Sequence, residues 1–186
     1  MEPEQQLFTL AIFTENHVGL LNQLSIIFTR RCLNIESVSA SASAVEGVHK
    51  IILTCITDRR SIEKAIQQIE KRIDVIKAFV YVDDEVVYQE IALYKISTPK
   101  LFASGNFESL MRRHNARILD ITPEYAVIEK TGHFDETEKL FHELKDYDLS
   151  QFVRSGRVSI TKGSTELVDI YLREQEERRK ILMHED

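Results

Sequence analysis

Excess positive charge is what this chain lacks first. Its 186 residues carry 24 Lys and Arg against 30 Asp and Glu, for a formal net charge of −6. That balance argues against electrostatic partners such as nucleic acid or an anionic membrane surface. No apolar run approaches the ~20 residues needed to span a bilayer. The stretch Met1–Gln6 is polar and acidic, which is not the pattern of a secretory leader. Only two cysteines occur, Cys32 and Cys55, at no metal-ligand spacing. Both sit among apolar neighbours, so each is expected to be a buried packing thiol rather than half of a disulfide. These features together predict a cytoplasmic protein.

Catalytic signatures are also missing. There is no Gly-rich phosphate loop and no nucleophile elbow. Of the six histidines (His17, His49, His114, His133, His142 and His184), none lies at metal spacing with another. No catalytic residue and no metal ligand is therefore expected in this chain.

What is present is an ordinary globular composition, 43% hydrophobic and 29% charged, with period-2 and period-3.6 stretches in alternation. Phe8–Thr14 predicts a strand, Val18–Cys32 a helix, Ile35–Ser43 a strand, and Glu46-Gly47 a turn. Val48–Thr57 follows as a strand with His49, Ile51, Leu53 and Cys55 on one face. Asp58 or Ser61 can cap a second helix whose apolar stripe is Ile62, Ala65, Ile66, Ile69 and Ile73. Val75–Val82 is a fourth strand. The order is β-α-β-β-α-β, the ferredoxin-like unit.

After an acidic hinge at Asp83-Asp84-Glu85 the pattern restarts. Val86–Ile96 predicts a strand, and Pro99 opens a loop. Ser104 or Asn106 can then cap a helix bearing Phe107, Leu110 and Met111. Two strands, Ala116–Ile121 and Tyr125–Lys130, flank the turn Thr122-Pro123-Glu124. A helix striped by Phe134, Leu140, Phe141 and Leu144 precedes one last strand, Phe152–Ile160. The expected fold class is α+β: two tandem ferredoxin-like domains, residues 1–83 and 84–163, and a charged tail, residues 164–186. That tail reads as solvated and partly ordered, with a docking helix as the other reading.

The junction Glu15-Asn16-His17-Val18-Gly19-Leu20-Leu21 stands out as a candidate binding site. A strand stops there and a helix begins, so free backbone N–H groups meet an amide side chain and a glycine. Such a mouth suits a small carboxylate. For a free amino acid, the N–H groups would take the carboxylate and Asn16 the ammonium. Gly19 would allow close approach, and Leu20 would give an apolar wall. Plainer readings stand beside this one: Asn16 as a helix cap, Gly19 as a point of tight helix-on-strand packing. Asn34, between helix and second strand, could take left-handed backbone geometry. It could instead reach a ligand on a neighbouring protomer of a two-fold dimer.

These residues also carry a resemblance. Phe8–Val82 looks like an ACT domain, a regulatory module that commonly binds amino acids. Glu15–Leu21, Asn34-Ile35-Glu36-Ser37-Val38, Asp120-Ile121-Thr122-Pro123 and Arg154-Ser155-Gly156-Arg157-Val158 closely resemble segments of the small, regulatory subunits of acetolactate synthase (acetohydroxyacid synthase). The resemblance implies a subunit that activates a large catalytic partner and makes it sensitive to feedback by valine or another branched-chain amino acid. The partner would carry thiamine diphosphate, Mg²⁺ and FAD. The implied effector site uses Asn16, Gly19 and Leu20 of one protomer with Asn34 and Ala40 across a dimer interface; His17, Val18 and Ile35 are secondary candidates. His17 and Val18 depart from the more polar or smaller residues common in that turn, Thr98–Phe107 is shorter than usual, and the tail is longer. The alternative is a stand-alone ACT-type amino-acid sensor acting on a different partner.

Overall fold

The computed structural model describes residues 5–163, 165 and 167–184, with the side chains of residues 179 and 181–184 excepted. Most of the polar amino-terminal stretch, residues 1–4, lies outside the described residues. The chain divides into two units: one runs to Val87 and takes in the chain from Ser159 onward, the other is Tyr88–Val158.

In the first unit, β1 (Gln6–Glu15), β2 (Ser37–Ala42), β3 (Val48–Thr57) and β4 (Val75–Tyr81) form an antiparallel sheet in the order β2-β3-β1-β4. Helices α1 (Leu20–Arg30) and α2 (Arg59–Ile69) cover one face. Strand alternation decides which side chains meet them. Phe8, Leu10 and Ile12 from β1 join Ile51, Leu53 and Cys55 from β3. Leu20, Leu24, Ile27 and Phe28 of α1 and Ile62, Ala65 and Ile69 of α2 complete the core. Of the two expected caps, Asp58 and Ser61, it is Asp58 that caps α2, accepting a hydrogen bond from Ser61 N at 3.0 Å. That bond and the one from the Ser61 hydroxyl hold the Asp58 carboxyl below its usual range.

Three local expectations change here. Ile73 falls after the end of α2 and is fully exposed rather than part of its stripe. Cys32, expected to be buried, is exposed. It also takes the left-handed backbone, with φ 54°, that Asn34 was expected to take. The reason is the end of α1: Leu33 N donates to Phe28 O and Cys32 N to Thr29 O, which places the left-handed residue at Cys32. Cys55 is buried as expected; burial, with the charge of Glu36, pushes its thiol up to about 11.

The segment read as a solvated tail holds α6 (Leu167–His184). Val168 is fully buried, and Lys77 Nζ lies 5.6 Å from the centre of the Tyr171 ring. This part of the chain groups with the first unit rather than standing apart.

The second unit repeats the topology. Strands β5 (Val86–Ser97), β6 (Arg117–Ile121), β7 (Tyr125–Gly132) and β8 (Gln151–Arg154) run β6-β7-β5-β8; β9 (Val158–Thr161) falls almost wholly in the stretch that groups with the first unit. The helices are α3 (Thr98–Ala103), α4 (Phe107–His114) and α5 (Phe134–Leu144). Where a loop was expected at Pro99, α3 starts, because proline's fixed φ suits the first turn of a helix. The expected single strand Phe152–Ile160 is broken at Ser155-Gly156-Arg157. Gly156 turns through φ 74° there, and Ser155 Oγ accepts from Ile91 N at 3.0 Å.

Candidate functional site

The junction between β1 and α1 is built by a glycine that no bulkier residue suits. Gly19 is the N-cap of α1 at φ 89°, ψ −1°, and no side chain caps the helix. Both plain readings of the turn therefore fail. Asn16 is not the cap, and a Cβ placed on Gly19 would meet nothing within 4 Å, so tight packing does not explain the glycine. Its positive φ does. Gly19 O receives the first helical bond, from Gln23 N at 3.1 Å. The N–H groups of Leu20, Leu21 and Asn22 precede that bond and have no acceptor within the helix. No acidic residue sits in the first turn to neutralise its positive end.

Asp74 holds the turn in place. Its backbone O accepts from Glu15 N at 3.0 Å, and its carboxylate lies 2.7 Å from His17 Nδ1 and 3.4 Å from Gln23 Nε2. The hydrogen bond and charge of Asp74, helped by Glu15, raise the His17 pKa above the ordinary histidine value. His17 is thus committed to positioning the turn. Val18, at its tip, is fully exposed.

Strand register brings the rest of the site beneath this mouth. Thr14 pairs with His49, Ile12 with Ile51, and Ile51 with Ala40. Thr14 and Ile12, two apart, share the face that α1 covers. The result is a cleft of about 210 Å³ lined by Asn16, His17, Gly19, Leu20, Ala40 and the floor residues Thr14, His49 and Ile51, among others. Leu21 lines this cleft and also a neighbouring groove of about 330 Å³ whose walls include Leu24, Ile35, Val38 and Leu53. A cleft of mixed, mainly apolar lining thus adjoins an almost wholly apolar one.

Of the residues singled out from the sequence, Asn16, His17, Gly19, Leu20 and Ala40 meet in one cleft of one chain, and Ile35 lines the adjoining groove. Ala40, expected from across a dimer interface, reaches the cleft of its own chain through the β2–β3 register. Asn34 lines neither cavity; its Nδ2 donates to Glu36 Oε1 at 3.0 Å. Sequence reasoning missed Thr14 and His49 as site residues. The available signal was Thr14 itself, a polar residue continuing the apolar face of Leu10 and Ile12.

Among the described residues, no group of three or more His, Cys, Asp or Glu could hold a metal ion, and no helix is long and apolar enough to cross a membrane.

Fold and site define a class: a tandem ferredoxin-like protein whose first half is an ACT-type domain with an open helix mouth. Comparison with known proteins narrows it. Residues 10–77 match the model for the AHAS small subunit-like ACT domain, and residues 89–163 match the model for the small subunit of acetolactate synthase. The acetolactate synthase small subunit of Mycobacterium bovis is 28% identical over 155 residues, 83% of this chain and 92% of the relative. That of Bacillus subtilis is 27% identical over 162 residues, 86% and 92% of the two chains. The crystal structure of the acetolactate synthase small subunit from Thermotoga maritima superposes with a TM-score of 0.77 at 22% identity. The match covers 86% of this chain and 99% of that one, and shows a shared fold. The two family models together span most of the sequence, and the chain belongs to the acetolactate synthase small subunits.

Proposed function

We propose that this protein activates a large catalytic acetolactate synthase subunit and makes it responsive to valine or another branched-chain amino acid bound at the β1–α1 mouth. The catalytic chemistry, with thiamine diphosphate, Mg²⁺ and FAD, belongs to the partner, in the cytoplasm. The observation that carries the reading is the uncapped start of α1, open onto a small cleft of mixed lining that adjoins an apolar groove. An α-amino acid has matching parts. Its carboxylate suits the free N–H groups of Leu20 and Leu21. Its aliphatic side chain suits the groove past Leu21.

The site is completed in a homodimer. Leu21 and Val38, on the rim of the groove, expose apolar surface, and β2 ends the sheet with an unpaired edge. Asn34, unused by the cavities of its own chain, reaches the effector on the second protomer. Effector binding then shifts the shape of the regulatory dimer, and the catalytic subunit responds to that shape. Such coupling is typically ~1–3 kcal/mol and is reciprocal for binding equilibria. Assembly with the active catalytic form therefore weakens effector binding.

The test is the activity of the reconstituted complex with and without valine, leucine and isoleucine. The expected outcome is higher activity than the catalytic subunit alone, lowered by at least one of the three. A complex that none of them affects contradicts the effector role, and a catalytic subunit that neither binds nor responds to this chain contradicts the partnership.

A further inference from the structure

We draw no further inference here: the strongest candidate, the polar cavity of about 410 Å³ at the start of α4 lined by Lys100, Asn106, Ser109, Arg113, Glu143 and Asp146 among others, rests on an uncapped helix N-terminus with no second observation among the described residues that points to a ligand, since Lys100 already pairs with Asp148 at 3.3 Å and Arg113 with Glu143.

Discussion

The two halves of this protein share one topology and treat the same junction in opposite ways. In the first, β1 passes through a glycine turn into an uncapped α1, and a cleft opens beneath it. In the second, β5 runs straight into α3, with Pro99 in the first turn and Thr98 N donating to Glu124 O at 3.2 Å. Proline has no N–H to offer, so two of the donors a helix mouth would present are absent or used. The interiors differ as well. Both cores are apolar, but beside the second the partly buried Arg154 guanidinium lies 4.3 Å from the ring centre of Phe134 and 4.8 Å from that of Phe152. Arg154 pairs with Glu90 at 3.2 Å and with Glu138, whose carboxyl its hydrogen bond holds below the usual range. Tyr94 OH donates to Thr137 O at 2.6 Å in the same network. One topology thus presents an open helix mouth in the first half and a closed one in the second, where a partly buried ion-pair network packs beside the core.

The largest effect expected from breaking this contrast is in the second half. Arg154→Met should leave Glu90 buried and unpaired, at a cost of about 3 kcal/mol, read as an earlier denaturant midpoint for that unit with the first unit's transition unchanged. Next comes Gly19→Asp, which puts a carboxylate in the helix mouth and a side chain at φ 89°. It should weaken effector binding by roughly a hundredfold, about 2.7 kcal/mol, while leaving activation of the catalytic subunit intact. Full inhibition by valine in that variant would place the site elsewhere.

Thr98→Val sharpens the comparison from the other side. Thr98 Oγ1 is buried without a partner, and it stands at the closed junction. Its removal should raise stability by about 1 kcal/mol and leave effector affinity unchanged. Asn34→Ala should weaken the effector by roughly 0.5–1.5 kcal/mol through one lost hydrogen bond, measured as a shift in the inhibition midpoint. The smallest effect concerns pH. The His17 pKa is raised in the folded protein, so its tie to Asp74 is complete below the ordinary histidine pKa and is lost as pH rises through the raised value. An imidazole titration by NMR should show His17 losing its proton at higher pH than in Asp74→Asn.

Much of the fold was legible because it rests on alternation and punctuation. Phe8, Leu10 and Ile12 announced the core face of β1, and Asp58 announced the start of α2. What stayed hidden depended on hydrogen bonds between residues whose types do not advertise them. The left-handed residue ending α1 is Cys32, whereas the matching residue after α4 is Asn115, at φ 49°; only the second uses the residue type that reveals the geometry. The break in the last strand is set by Ser155 bonding to Ile91, a partner 64 residues away. Burial of Val168 depends on where α6 lies, which its charged sequence does not disclose. In the candidate site, Asn16 and Gly19 were visible as a local motif, but Thr14, Ala40 and His49 meet only through strand register.

The central claim is that the start of α1 is the effector site. Its most direct test is an NMR titration of the isotope-labelled full chain with valine, following every backbone amide. The account predicts that Gly19, Leu20, Leu21 and Asn22 move most and saturate together, and that these shifts vanish in Gly19→Asp. Saturable shifts confined to Tyr88–Val158, or no shifts at all, would contradict it.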